Sequence, residues 1–533
     1  MSEGTRGDLE FGTIGGIVAS GAKRFGDDVA VIDGDVTLTY RGLLAAVREA
    51  ARALVSLGVT RGDRVAIWAP NGVRWIVAAL AVTHVGGVLV PINTRYKGDE
   101  AAFVLAKSRA KVLFATRGFL GSDAIEALAT AETKTPELTT TVLLVGDPTG
   151  GAVDWNAFLS RAGQTDEATL DARVAAVSPG DLCDLLFTSG TTGRPKGVLC
   201  THAQTLRAFR DWADVTGLRA GDRFLVVLPL FHSFGYKAGL LAALMMGATV
   251  LPEAVFDVGV VLRRVASDRI SVLPGPPALY QSLLVHPELR SHDLSTLRLA
   301  VTGAAVIPVE LVERMRSELG FGTVITGYGL TEATGVSTMC RASDDPVTIA
   351  QTSGRAIPDV EVRIVSPDGN ELPRGEAGEI VVRGYTVTAG YFEDEAGTRD
   401  AIDAQGFLHT GDVGTMDERG YLKITDRLKD MFIVGGFNAY PAEIEACLLR
   451  HEAVAQAAVV GAPDERMGEV GVAFVVLRPG ASASPEALIG HCRERIANFK
   501  VPRRVEIVAA LPMNASNKVL KYKLRELARG LAS

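Results

Sequence analysis

The chain lacks the marks of several large protein classes. Its five cysteines, Cys183, Cys200, Cys340, Cys447 and Cys492, are an odd number, widely scattered, and none belongs to a Cys-x-x-Cys pair. That spacing excludes a disulfide framework and a thiolate zinc site, and it leaves five free thiols of a reducing compartment. No group of histidines stands at zinc-ligand spacing. Blocks of like charge are missing as well: 55 Lys and Arg against 62 Asp and Glu give a formal net charge of -7, with no basic footprint for duplex nucleic acid. The residues from Met1 to Glu10 mix acids with glycines and lack the basic start and apolar run of a signal peptide, which points to a cytoplasmic protein. The longest apolar stretches, Ile76 to Leu89 and Ala238 to Leu251, are interrupted by His84 and by glycines. They fall short of the roughly 20 residues that cross a bilayer and read as core helices and strands. No basic amphipathic helix argues for a membrane surface.

What is present is the texture of an α/β protein. Short β-branched runs, Val29 to Ile32 and Arg64 to Trp68, alternate with Ala/Leu-rich stretches, Leu43 to Leu57 and Val73 to Val82. That alternation is the βαβ signature. Further strands are expected at Val112 to Ala115, Phe224 to Leu228, Val272 to Pro274 and Leu297 to Thr302. After Ser353 the pattern shifts to shorter strands with turn residues, Val360 to Val365 and Glu379 to Arg383 among them, as in a mostly β subdomain. A charged stretch, Asp426-Arg-Leu-Lys-Asp430, then leads into a smaller unit with a helix over Pro441 to Leu449, a strand over Ala455 to Gly461 and a helix over Pro485 to Ala497. Pro136 to Thr169 is the least patterned stretch and reads as surface loop. The expected architecture is a large N-terminal domain, residues 1–427, of parallel α/β subdomains plus a β-rich subdomain. A small mobile α+β C-terminal domain, residues 428–533, follows it.

The most informative segment is Leu185-Leu-Phe-Thr-Ser-Gly-Thr-Thr-Gly-Arg-Pro-Lys-Gly-Val198, an apolar strand running into a loop dense in Gly, Thr and cations. Glycines let the backbone curl so that several N–H groups face one anion, hydroxyls add donors, and Lys196 supplies a mobile charge. Such a loop suits a polyphosphate. It is not a Walker A motif, because GxxxxGK[ST] is absent. At this segment the sequence resembles the adenylate-forming superfamily of acyl-CoA synthetases, stand-alone adenylation domains and luciferases, and the resemblance extends over nearly the whole chain. It implies that Thr188, Ser189, Gly190, Thr191, Thr192, Gly193 and Lys196 bind ATP.

The remaining motifs extend that resemblance. Phe231-His-Ser-Phe-Gly235 is similar to the family segment that gates the acyl pocket, which gives His232, Phe234 and Gly235 that role; a lone histidine is otherwise more often structural. Thr302-Gly-Ala-Ala305 and Thr326-Gly-Tyr-Gly-Leu-Thr-Glu332 resemble the segments around the adenine. They place Thr302 beside the acyl group, Gly303, Ala304, Ala305, Gly327, Tyr328 and Gly329 against the base, Thr331 on the α-phosphate and Glu332 on Mg2+. His409-Thr-Gly-Asp412 puts Asp412 on the ribose hydroxyls, although an Asp after Gly is also a common cap or turn residue. In Asp426-Arg-Leu-Lys-Asp430, Arg427 lies near the ribose and Lys429 is the hinge. Gly435, Gly436 and Phe437 line the pantetheine tunnel. Pro512-Met-Asn-Ala-Ser-Asn-Lys518 carries the adenylation lysine, Lys518, with Lys521 and Lys523 as local competitors. Two positions depart from the pattern: Phe437 stands where many relatives have Glu, and Asn517 where they have Gly.

The resemblance implies an ATP-dependent ligase that uses Mg2+ and coenzyme A: a carboxylic acid becomes acyl-AMP with release of pyrophosphate, then acyl-CoA with release of AMP. A free amino acid is disfavoured, since Phe234-Gly-Tyr-Lys-Ala-Gly239 offers no Asp for an ammonium. Phe231 to Gly239, Leu273 to Tyr280 and Thr338 to Arg341 resemble the segments of actinobacterial acyl-CoA ligases for polycyclic propanoates, the HIP-CoA ligases among them. Terpenoid ring acids, fatty acids and aryl acids stay open. Lys237 is placed in the acyl pocket, where it would meet a ring ketone or hydroxyl, against the alternative of a surface or helix-end lysine. A homodimer, an adenylation-only enzyme with a partner that accepts acyl-AMP, a carrier-loading enzyme, a luciferase-like oxygenase and a non-catalytic nucleotide sensor are the rival readings.

Overall fold

The computed structural model describes residues 6–188, 195–303, 307–427, 430–434, 437–464, 467–496, 498–513 and 518–531, the side chains of residues 426, 427, 437, 438 and 531 excepted. The chain divides into two compact units. One comprises Met1–Val362 and Val382–Leu408, the other Arg363–Val381 and His409–Ser533.

The first unit is built on parallel sheets. In one, strands Lys196–Thr201, Leu182–Thr188, Val88–Pro91, Arg64–Trp68, Val112–Phe119, Thr140–Val145 and Val153–Asp154 lie side by side in that order. All neighbours are parallel except the first pair, an antiparallel hairpin. Strands of this kind are buried on both faces and read as continuous apolar runs; Val65, Ala66 and Ile67 have no accessible surface. The helix Tyr40–Ser56 starts at Thr39, whose side chain accepts from Gly42 N, and buries Leu43, Val47, Ala50 and Leu54 at the three- and four-residue spacing of one helix face. Val73–His84 is buried along nearly its whole length, as an all-round apolar helix must be.

A second set of strands runs Val36–Thr39, Val29–Asp33, Thr249–Pro252, Arg223–Val226. The strand expected at Val272 to Pro274 is reduced to one bridging residue, Val272, which pairs in parallel with Phe224 on one side and Leu299 on the other. Through it the set continues into Leu299–Thr302, Thr323–Tyr328, Thr338–Met339 and Arg355–Ala356. Pro274, Pro276 and Pro277 follow at once, and proline cannot donate to a ladder.

The stretch from Pro136 to Thr169 is not surface loop. It contributes strand Thr140–Val145 to the first sheet and forms helices Trp155–Ser160 and Glu167–Ala175. Phe158 is fully buried, with its ring edge-on to Phe114 at 5.3 Å and tilted against Trp155 at 5.3 Å. Its elements are shorter than the window in which a hydrophobic period can be read.

In the second unit, Phe437–Ala439, Phe432–Val434, Gly468–Leu477 and Val454–Asp464 form a sheet in that order, with Arg504–Ile507 parallel to Gly468–Leu477. Alternation sends Val459, Ala473 and Val475 to one face, against helices Pro441–Leu449 and Pro485–Arg493. Ala458, Val460, Val472 and Phe474 go to the other, against Leu524 and Ala528 of helix Lys521–Leu531. All five cysteines are free and buried. Among the described residues no helix is long and apolar enough to cross a membrane.

Candidate active site

The site in the first unit gathers at the carboxyl ends of its strands, where ligands of open α/β sheets bind. Leu182–Thr188 and Lys196–Thr201 form a hairpin in which Thr188 faces Lys196 across the ladder. Residues 388–392 lie along its outer edge: Phe392 N donates to Gly197 O at 2.7 Å, Leu199 N to Gly390 O at 3.1 Å and Thr388 Oγ1 to Leu199 O at 2.5 Å. That edge brings Tyr391 to the hairpin.

Glu332 sits in the one-turn helix Thr331–Ala333 that follows strand Thr323–Tyr328. Its Oε1 accepts from Thr188 Oγ1 at 3.2 Å and from the Tyr391 hydroxyl at 3.1 Å. Its backbone carbonyl accepts from Thr388 N at 2.8 Å. The turn is locked by Thr334, a buried non-glycine residue at φ 58° whose hydroxyl donates to Thr386 O at 2.6 Å. Such a conformation persists only where neighbours over-determine it. Burial and the adjacent Glu332 charge raise the Tyr391 hydroxyl above its ordinary range, so it stays a donor. The Lys196 ammonium lies 4.7 Å from the centroid of the Tyr391 ring and 3.3 Å from Asp394 Oδ2.

The segments expected around the base show close backbone approach. A side chain at Gly329 would run into the carbonyl of Gly335. Tyr328 is 8% exposed at the end of its strand, and Thr302 is buried with no hydrogen-bond partner for Oγ1 among the described residues. Gly303 and Gly327 lie at the ends of adjacent strands. In the segment expected to gate the acid, His232 is exposed and its Nδ1 accepts from Phe234 N at 3.3 Å. A side chain at Gly235 would strike the carbonyl of Pro229. The Phe234 ring stands edge-on to Trp212 with centroids 6.0 Å apart.

Phe234–Leu241 is a π-helix rather than an α-helix, a form concentrated at functional sites. It carries Lys237 inward. Lys237 has no accessible surface, and its ammonium lies 3.1 Å from Asp184 Oδ2. Neither expectation for this lysine survives: it is not at the surface, and no atom of it is open to a ring ketone. A side chain of that length is drawn in because Asp184, 0% exposed in the middle of the hairpin, supplies the opposite charge.

In the second unit, Asp412 is 7% exposed and pairs across the strands with Arg427. Its turn is held by Thr410 Oγ1 donating to Ile380 O at 2.7 Å and by Glu379, which accepts from Gly411 N at 3.1 Å and lies 2.8 Å from His409 Nδ1. Gly411 has φ 69°. Lys518 is exposed beside the bridge between Met513 and Val519. Of its competitors, Lys521 is tied to Glu445 at 2.8 Å. Ser189, Gly190, Thr191, Thr192, Gly193, Ala304, Ala305, Lys429, Gly435, Gly436 and Asn517 lie outside the described residues, as does the side chain of Phe437, whose backbone pairs with Val434. Tyr391, Thr388 and Asp184 escaped sequence reasoning; a lone Thr-Ala-Gly-Tyr string carries neither period nor charge pattern.

A cavity of 630 Å³ lined by Arg219, Asp222, Arg223, Asp268, Arg269 and Arg298 opens at the amino ends of the strands, away from Thr302 and Tyr328. One of its cations, Arg298, pairs with Asp222.

The model of the AMP-binding enzyme family matches residues 18–392, and that of the AMP-binding enzyme C-terminal domain residues 443–518. A 3-[(3aS,4S,7aS)-7a-methyl-1,5-dioxo-octahydro-1H-inden-4-yl]propanoyl:CoA ligase of Rhodococcus jostii (strain RHA1) is 51% identical over 509 residues, 95% of this chain and 96% of that one. Its namesake in Mycobacterium tuberculosis (strain ATCC 25618 / H37Rv) is 51% identical over 506 residues, 95% of this chain and 97% of that one. Among solved structures, the anthranilate CoA ligase AuaEII in complex with anthranoyl-AMP superposes with a TM-score of 0.86 at 28% identity, covering 98% of each chain. A family model matched over residues 18–392 and relatives 51% identical over 95% of the chain make this protein a member of the AMP-binding, adenylate-forming enzyme family.

Proposed function

We propose that this AMP-forming acid–thiol ligase acts on a fused-ring propanoate of the kind named in its 51%-identical relatives. The carrying observation is that this identity runs over 95% of the chain rather than over one motif.

A carboxylate is a poor acyl donor because its leaving group would be an oxide. Attack of the carboxylate oxygen on the α-phosphate breaks the bond to pyrophosphate and turns that leaving group into AMP; a thiol then displaces AMP at the acyl carbon. In this reading the hairpin's Thr188 and Lys196 hold the phosphates, Tyr328 and Gly329 face the base, and Thr331 bonds the α-phosphate. Asp412 and Arg427 hold the ribose, and His232, Phe234 and Thr302 border the acid. Glu332 and Thr188, hard oxygen donors 3.2 Å apart, suit Mg2+, which takes one or two carboxylates plus substrate phosphates rather than an all-protein cage. Bound there, the ion would supply charge neutralisation on the leaving pyrophosphate. Lys518 bridges carboxylate and α-phosphate in the first step and is withdrawn for the second. Residues 428–533 rotate as a unit about Lys429, bringing Gly435, Gly436 and Phe437 to the thiol path; alternation of this kind lets one pocket serve two steps.

The test is ATP–pyrophosphate exchange and acyl-CoA formation by the purified protein with a steroid-type ring propanoate, a terpenoid acid, an aryl acid and a straight-chain fatty acid. Turnover highest with the ring propanoate supports the proposal. Preference for the straight chain overturns it, and exchange without acyl-CoA product would make the protein an adenylation-only enzyme.

A further inference from the structure

The pair Lys237–Asp184 is unusual in where it lies. Both residues are 0% exposed and 3.1 Å apart, and Asp184 Oδ1 has no hydrogen-bond partner among the described residues. Burying two charges is not an economical route to stability, because apolar residues of similar volume do as well or better. What such a pair supplies is position.

The position matters because of the strand that carries it. Alternation along Leu182–Thr188 puts Asp184, Leu186 and Thr188 on one face, and the cross-strand register adds Cys200, Val198 and Lys196 to the same face. The other face, with Leu185, Phe187 and Leu199, packs into the apolar core against Phe392. Asp184 therefore shares the face of Thr188, the residue bonded to Glu332. Lys237 reaches it from the π-helix Phe234–Leu241, five positions after His232. Cys183 Sγ adds a contact to Asp184 Oδ2 at 3.2 Å. Burial pulls the ammonium down, but the Asp184 carboxylate, with Cys200 and Cys183, more than offsets this and keeps Lys237 above its ordinary range. The ion pair is thus a charged link between the element bearing the acid motif and the strand presenting the phosphate hydroxyl.

We infer that Lys237 is a positioning residue for the first half-reaction: through Asp184 it fixes the π-helix to the phosphate hairpin, so that the acid's carboxylate meets the α-phosphate in register. The inference rests on the adenylate-forming reading above. A displacement of about 1 Å between reacting groups is enough to cost on the order of 100-fold in rate.

The experiment compares the full chain with Asp184→Leu/Lys237→Met, which removes both charges together, and with Lys237→Arg, which keeps the charge but lengthens and flattens its head. Each is followed by thermal melting and by pyrophosphate exchange with varied acid and varied ATP. The expected result is a cooperative melt close to wild type for the double variant and exchange turnover lower by about 10- to 100-fold, while KM for ATP stays within about threefold. A pair that serves stability alone would not produce that split. Exchange within about threefold of wild type in the folded double variant overturns the inference. If the double variant does not fold, Lys237→Arg decides: lowered turnover at unchanged KM for ATP supports positioning, and wild-type turnover overturns it. Absence of exchange in the wild-type protein with every acid would instead bring down the adenylate-forming reading itself.

Discussion

Glu332 is set by two hydroxyls that come from far along the chain, Thr188 and Tyr391, 144 and 59 residues away. A hydrogen bond to a charged group contributes about 1.5–3 kcal/mol, so Tyr391→Phe is expected to lower kcat/KM for ATP by about 10- to 100-fold in the exchange assay while the fold stays intact. An unchanged value would show that Thr188 alone orients the carboxylate. Lys518 is argued at the same scale. Its flexible ammonium can follow charge as it moves from carboxylate to phosphate, and loss of one preorganised electrostatic contact of this kind costs about 100-fold or more. Lys518→Ala should therefore abolish acyl-AMP formation at that level and leave thiolation of supplied acyl-AMP largely intact. Surviving pyrophosphate exchange would transfer the role to another lysine; Lys521, held on Glu445, is the less available of its neighbours.

Whole elements follow their own logic. The segment 136–169 shows how a stretch without visible period still builds core. Thr140–Val145 joins the parallel sheet beside Val112–Phe119, and helix Trp155–Ser160 seals that edge with Phe158 against Phe114. Truncating a buried aromatic leaves a cavity as well as losing transfer energy, so Phe158→Ala is expected to destabilise the protein by about 3–5 kcal/mol in denaturant unfolding. A cost below about 1 kcal/mol would return the segment to the loop that its sequence suggests. The π-helix Phe234–Leu241 belongs to this scale as well. Its sequence, Phe-Gly-Tyr-Lys-Ala-Gly-Leu-Leu, reads as an ordinary apolar helix, yet it winds as a π-helix with Lys237 paired to Asp184.

At the scale of the whole molecule, two buried histidines tie folding to pH. Burial, reinforced for His84 by the Arg48 charge, pushes His84 down to about 4, and burial pushes His202 down to about 4. His202 Nδ1 accepts from Ile14 N at 3.1 Å, an arrangement that needs the neutral ring. In the unfolded chain both take up a proton near 6.5. The unfolded state therefore binds more protons between about pH 6.5 and 4, so this stability is complete above pH 6.5 and is lost as pH falls through that window. Each histidine accounts for roughly 1.4 kcal/mol per pH unit, about 2.7 for the pair. Urea unfolding at pH 7 and pH 5 should show the loss, and His84→Gln should reduce its slope by about half. A flat profile would mean that neither ring is held neutral by burial in the native state.

Much of the molecule was legible before folding. The βαβ texture, the helices at Tyr40–Ser56 and Pro441–Leu449, the strand Val360–Val365 and the phosphate, acid and base motifs are local patterns, set by side-chain period and by glycine and proline chemistry within a few residues. Those are properties a chain carries in its order of residues. The sequence by itself determined the fold class and the types of group available to the site. Tertiary structure alone decided which distant groups meet: Tyr391 with Glu332, Lys237 with Asp184, Val272 between Phe224 and Leu299. Such choices depend on packing between segments tens to hundreds of residues apart, and a buried charge declares itself only when its partner arrives beside it.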